Sequence, residues 1–231
     1  MRTLLVIPAH NEQESILGVI DEVTAAGYDY VVINDGSTDR TEEILCEHDI
    51  NHVCLPFNLG IGGAVQTGHR YAWLNGYDVD IQVDGDGQHD ISYIPRLLEA
   101  LQDGADIAVG SRFVQRSEGF QSTGLRRAGI RWLERCIRWV TGTTITDSTS
   151  GFRACNRRAI KLFCIYYPID YPEPESIVHA HNHGLSVREV PVSMRERTGG
   201  VSSINLLKGA YYMVKVSLAI LIEGIAPRER G

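Results

Sequence analysis

Apolar positions in the first half of the chain switch between two periods. Residues 3–8, 30–34, 52–55 and 106–109 form short, mostly apolar runs, and 79–83 alternates apolar and polar positions, both patterns that strands carry. Between them, residues 11–26, 38–48, 61–74 and 91–101 carry helical spacing, the first through Ile16, Val19, Ile20 and Val23. This rhythm predicts an α/β fold with a mostly parallel sheet and helices on both faces. In such sheets ligands sit outside the carboxyl ends of the strands. The polar stretches 8–12, 34–39, 84–88 and 110–112 fall at those ends.

The rhythm breaks after Arg112. Residues 125–140 read as one amphipathic helix, 148–151 as a turn and 157–163 as a short helix. The three prolines in 167–174 predict an extended or looped segment. A helix over 175–183, a strand over 186–190, a loop over 199–203 and a last apolar helix over 204–225 follow. The expected division is a body over 1–203 and an apolar helix with its tail over 204–231.

The net charge of -7 is unevenly spread. Residues 1–111 hold 4 basic and 19 acidic residues, whereas 112–161 hold 11 basic and 3 acidic. An acidic body argues against nucleic acid, and a concentrated basic segment suggests a local anionic partner: a phosphate, a diphosphate or an anionic membrane face. Five cysteines without C-x-x-C spacing argue against a disulfide framework or a zinc site. The apolar run at 4–7 is too short for a secretory leader, so a cytoplasmic location is expected.

The sharpest chemical signal is Asp84-Gly85-Asp86-Gly87-Gln88, directly after a strand-like run. Two carboxylates two residues apart can face one cation, and all-oxygen ligands suit Mg²⁺ or Mn²⁺ with positions left for phosphate oxygens. An acidic surface turn is the plain alternative. Pro8-Ala9-His10-Asn11-Glu12, Asn34-Asp35-Gly36-Ser37-Thr38-Asp39, Gly110-Ser111-Arg112 and Ser150-Gly151-Phe152-Arg153 accompany it in order.

This ordered series resembles the family 2 glycosyltransferases, and most of all their dolichyl- and polyprenyl-phosphate sugar synthases, over roughly residues 3–205. The resemblance implies a GT-A-type, Rossmann-like nucleotide-sugar-binding domain and an inverting transfer from a nucleoside-diphosphate sugar to a polyprenyl phosphate. It places Pro8, His10, Glu12, Ile33 and Asp35 at the nucleoside. Asp84, Asp86 and Gln88 fall at the metal and diphosphate, and Arg112 and Arg197 at phosphates; Arg153, in the last motif, is a further candidate for a phosphate contact. Three positions depart from the family pattern: His10 for a common Tyr, Asn34 for a common Asp, and Ser203 for a Lys. They bear on the donor's base and sugar.

Glu173 and Glu175, set among prolines, read either as a general base at the lip of the site or as a loop shaping the acceptor, and Asp147 is a further base candidate. A phosphate acceptor is already ionised and needs no strong base, whereas a glycan hydroxyl, the alternative acceptor, needs one. A non-catalytic nucleotide-sugar-binding subunit of a membrane complex is the reading from another class, and the intact Asp84-x-Asp86-x-Gln88 argues against it. The glycines of Asn58-Leu59-Gly60-Ile61-Gly62-Gly63-Ala64 lack the dinucleotide pattern and read as a helix entry. His179, His181 and His183 read as a solvated helix face rather than a metal site.

In the helix over 125–140, Leu125, Ala128, Gly129, Trp132, Leu133, Cys136, Trp139 and Val140 share one face, opposite Arg127, Arg131, Arg135 and Arg138. That pattern fits a helix lying in a membrane interface, hence a protein peripheral on the inner face of the membrane. A helix covering the sheet with a basic rim is the alternative. In the last helix the longest apolar run is 216–222, too short to span a bilayer. It docks on the body, meets the membrane surface, or binds a small membrane protein.

Overall fold

The computed structural model describes residues 1–114, 124–195 and 206–225. Arg197, the loop over 199–203, the 203/204 boundary and the tail from 226 lie outside the described residues, as do the side chains of residues 125–127 and 206–211.

Seven strands form one sheet: β1 (Thr3–Ala9), β2 (Asp29–Asn34), β3 (His52–Cys54), β4 (Val79–Gln82), β5 (Ile107–Ser111), β6 (Arg153–Asn156) and β7 (Val187–Pro191), in the order β3-β2-β1-β4-β6-β5-β7. All pairings are parallel except those of β6, which runs antiparallel between β4 and β5. The mostly parallel sheet expected from the sequence is therefore present, with one antiparallel strand that the apolar pattern did not disclose.

Side chains alternate across the sheet as a period of two requires. Leu5, Ile7, Val32, Val79, Ile81 and Ala108 face one core, filled by Ile16, Val19, Ile20 and Val23 of α1 (Ile16–Ala25), Leu45 of α2 (Thr41–Glu47) and Ile94 and Leu97 of α4 (Ile94–Gln102). Leu4, Val6, Val31, Ile33, Ile107 and Val109 face the other, filled from α3 (Gly60–Leu74) and α6 (Arg157–Ile165). A third cluster joins α5 (Gly124–Thr141), α7 (Pro172–Asn182) and α8 (Leu206–Ile225) through Leu133, Ile137, Ile177, Val178, Val216 and Ile220. The last helix thus docks on the body.

Three sequence expectations change. First, α1 begins at Ile16 rather than near Asn11, because Asn11 takes a left-handed backbone (φ 60°). Second, the proline-rich stretch starts α7 instead of forming a loop. Pro172 and Pro174 occupy the first turn, where a missing N–H costs nothing. Third, α5 has the expected extent, but its apolar residues divide between a buried stripe and an exposed one. Ile130, Leu133, Cys136 and Ile137 point inward, while Trp132 and Trp139 are exposed. The tryptophans flank the buried stripe because α8 covers it: Gly129 lies against Met213, Trp132 Nε1 donates to Ser217 Oγ (2.9 Å), and Gly224 lies against Val140.

His179 is likewise buried rather than solvated. Its Nδ1 lies 2.7 Å from Glu223 Oε1, and Asn182 donates to the Glu223 carbonyl, which ties α7 to α8.

Candidate active site

The polar stretches at the carboxyl ends of β1, β2 and β4 converge, and the turn leading into the antiparallel β6 joins them from across the sheet. Together they line a cleft of about 340 Å³. Pro8, Ala9, His10, Glu12, Asp35, Asn58, Gly60 and Ile61 form one end. Gln82, Asp84, Gly85, Asp86, Thr149, Gly151 and Glu173 form the other.

The first end is a pair of interlocked loops. Asp35 donates its N–H to Ala9 O (2.8 Å), and its carbonyl accepts from His10 Nδ1 (2.9 Å), so that ring carries its proton on Nδ1. Asn11 Oδ1 accepts from the Thr38 and Asp39 N–H groups, which explains its left-handed backbone. Asp35 Oδ1 accepts from Leu59 N (2.7 Å). Gly36 has φ +59°, and a Cβ there would sit 2.6 Å from Asn58 N, so only glycine lets the two loops approach. Asn34 also gains a reason. Its amide donates to Glu42 Oε2 (3.3 Å) and accepts from Ser37 N (3.2 Å), whereas an Asp would set two carboxylates together. Ile33 is fully buried beneath this end and is not part of the cleft's lining.

At the second end Asp84 is one third exposed, while Asp86 is buried apart from the cleft it lines. Asp86 Oδ1 accepts from Gln88 N (3.0 Å), which closes the turn. Gln88 contributes this backbone bond, and its carbonyl accepts from Arg195 N (2.9 Å), but its side chain is not part of the cleft's lining. Gly151 faces the Asp84 carboxylate. A Cβ on it would stand 3.3 and 3.4 Å from the two Asp84 oxygens and 2.8 Å from Gln82 Nε2. This end of the cleft, lined by Asp84 and Asp86 and left open at Asp84 by a glycine, fits a hard divalent cation that retains positions for phosphate oxygens and water.

One other group of possible ligands, His69, Asp80 and Cys155, lies among the described residues, buried away from the cleft. Its His69 Nδ1–Asp80 Oδ2 separation of 2.6 Å is a hydrogen bond, too short for two ligands sharing an ion.

Arg112 and Asp147 form a buried bidentate pair: Nε to Oδ2 and Nη2 to Oδ1, each 2.7 Å. Asp147 Oδ2 also accepts the Arg112 N–H, and Oδ1 accepts from Thr149 Oγ1. Neither residue lines the cleft; the guanidinium reaches its wall by donating to Thr149 Oγ1 (3.3 Å). With both oxygens bonded and the side chain fully buried, Asp147 is not placed as a base. Arg153 is also set back. Its guanidinium donates to the carbonyls of Ser148 and Ser150 and to Ser176 Oγ, bracing the turn that carries Thr149 and Gly151.

The paired glutamates separate. Glu173, in the first turn of α7, lines the cleft, and burial pushes its carboxyl up from the usual range, with Arg153 pulling it partly back. Glu175 lines a second cavity of about 220 Å³ beside Tyr171 and Lys215. Gln82 and Thr149, which line the cleft, and His89, which bonds the Asp84 N–H from behind, escaped the sequence reading as contributors. The only available signal for Gln82 and His89 was their place beside the Asp84 motif.

Comparison with known proteins agrees with this geometry. Residues 4–163 match the model for glycosyl transferase family 2. Polyprenol monophosphomannose synthase of Mycolicibacterium smegmatis is 31% identical over 222 residues, covering 88% of this chain and 81% of that one. Undecaprenyl-phosphate mannosyltransferase of Micrococcus luteus is 32% identical over 217 residues, covering 89% and 88%. Glucosyl-3-phosphoglycerate synthase from Mycobacterium tuberculosis, solved with Mn²⁺, UDP-glucose and phosphoglyceric acid, shares the fold at TM-score 0.74 and 20% identity, over 98% of this chain and 81% of that one. The converging loops, the carboxylate pair at the end of β4 and these similarities together show that the chain belongs to glycosyl transferase family 2 and its polyprenyl-phosphate sugar synthase-like branch, and is an enzyme.

Proposed function

We propose that the protein transfers a sugar from a nucleoside-diphosphate donor to a polyprenyl phosphate at a membrane surface. The observation that carries this reading is the single cleft joining the Asp35 end to the Asp84–Asp86 end. Pro8, His10, Glu12 and Asp35 would hold the nucleoside, and Asp84 and Asp86 the cation at the diphosphate. A phosphate oxygen of the acceptor attacks the anomeric carbon, the bond to the diphosphate oxygen breaks, and the nucleoside diphosphate leaves. Inversion follows from this single displacement. Mg²⁺ or Mn²⁺ bound there supplies charge neutralisation for the leaving diphosphate. Arg112 reaches the cleft wall at Thr149 and is proposed, from the family resemblance, to act on phosphates from there. Arg197 is proposed from the family resemblance alone.

A second reading rests on Glu173. A carboxyl in the cleft with a raised pKa suits a base for a glycan hydroxyl. The phosphate-acceptor reading predicts that Glu173→Gln keeps measurable transfer. Loss of all transfer in that variant, with donor affinity and melting temperature unchanged, would move the assignment to a hydroxyl acceptor.

The membrane face is proposed as a composite of two helices. Val214, Leu218, Ile222 and Ile225 stand exposed about a turn apart along α8, and α5 beside it exposes Trp132 and Trp139, the latter 80% open, next to exposed Arg131, Arg135 and Arg138. No helix among the described residues is long and apolar enough to cross a membrane. Aromatic and aliphatic groups rimmed by arginines suit an anionic interface, with about 1 kcal/mol per arginine, screened by salt. Sedimentation with anionic vesicles should therefore fall steeply as salt is added, and replacing Arg127, Arg131, Arg135 and Arg138 by Gln should release the protein without changing nucleotide affinity. Unchanged sedimentation of that variant would transfer the anchoring role to the apolar strip of α8 or to a small membrane protein seated on it.

A further inference from the structure

Two side chains that flank the carboxylate motif, Gln82 and His89, bear on Asp84. Gln82 Nε2 donates to its Oδ1 (3.1 Å). Its own N–H donates to His89 Nδ1 (3.0 Å), and His89 Nε2 stands 3.4 Å from its Oδ2. A backbone N–H can only donate, so Nδ1 presents its lone pair and the neutral imidazole carries its proton on Nε2, which stands near the carboxylate without bonding it.

His89 cannot drift from this position. It is 4% exposed, stacks on Phe152 (centroids 4.8 Å apart, 19° between planes), and its backbone bridges to Met194. Phe152 follows Gly151, the residue facing the same carboxylate. One ring therefore ties the loop after β4 to the turn before β6.

We infer that His89 and Gln82 are positioning residues: they fix the Asp84 carboxylate in one orientation, with an N–H offered to one oxygen and a ring nitrogen set against the other, so that its remaining lone pairs face the cleft. This rests on the reading that Asp84 holds a divalent cation. An unsupported carboxylate rotates and must be ordered when the ion binds. Outer groups that remove this disorder are commonly worth tenfold to a hundredfold in metal affinity.

The test is Mn²⁺ binding in the presence of UDP, measured from the electron paramagnetic resonance signal of the free ion. His89→Asn keeps an acceptor for the Asp84 N–H but has nothing at Nε2. Gln82→Met keeps shape and loses the donor. Each should weaken Mn²⁺ binding about tenfold or more while leaving metal-free nucleotide affinity unchanged and the melting temperature close to wild type. His89→Gln, which can return an N–H near the carboxylate, should recover part of the loss. Gln82→Met carries the test alone should the His89 variants not fold. Wild-type Mn²⁺ affinity in Gln82→Met and His89→Asn, or a loss proportional to lost stability, overturns the inference while leaving the metal reading intact. Failure of the wild-type protein to retain Mn²⁺ overturns the metal reading, and this inference with it.

Discussion

Asp86→Asn is expected to lower turnover by at least about a hundredfold, the scale of losing a main electrostatic stabiliser of developing charge. The structure says why the fold should survive. Asp86 Oδ1 closes its turn by accepting the Gln88 N–H, and an asparagine carbonyl can accept that bond equally well. The charge is lost and one acceptor oxygen becomes a donor, in a position buried except toward the cleft. Circular dichroism and melting should therefore match wild type while transfer collapses, and EDTA should reproduce the collapse in the unaltered protein. Full activity in EDTA would falsify the metal-dependent account.

Asp147→Ala is expected to act on stability rather than on proton transfer. Its carboxylate is fully buried and spends both oxygens on Arg112, whose side chain is 9% exposed. Removing one partner of a buried pair costs about 3–5 kcal/mol, because the remaining charge keeps its desolvation without its compensation. For a chain of this size that corresponds to a fall in melting temperature of roughly 10 °C. Urea unfolding would measure the loss, and the milder Asp147→Asn should keep measurable transfer. A variant that unfolds like wild type and binds donor normally, yet transfers nothing, would restore Asp147 as the base.

Much of the sheet was legible because its strands are buried on both faces and read as apolar runs. β6 was not, since Arg153-Ala-Cys-Asn156 is four residues long and opens on an arginine whose donors are used locally. The start of α7 was hidden by prolines, which break helices in the interior but suit the first turn. The apolar face of α5 could be read from the sequence but its division could not: α8, far along the chain, covers the stripe through Ile130, Leu133 and Ile137 and leaves Trp132 and Trp139 exposed.

The site divides in the same way. Asp35, Asp84 and Asp86 were readable from short motifs at strand ends, where local order alone carries them into the cleft. Partnerships across long separations were not. Arg112 and Asp147 are 35 residues apart, and Arg153 and Ser176 are 23 apart. Nothing local announces that these residues bond to each other and stand behind the cleft wall.

Product mass tests the central claim most directly. The purified protein is incubated with a short polyprenyl phosphate, Mn²⁺ and a panel of nucleoside-diphosphate sugars. The account predicts that a donor yields a lipid heavier by one sugar residue joined through the phosphate, with one nucleoside diphosphate released per product. Donors that remain intact, or sugar that appears only on hydroxyl acceptors while the lipid phosphate is untouched, would contradict it.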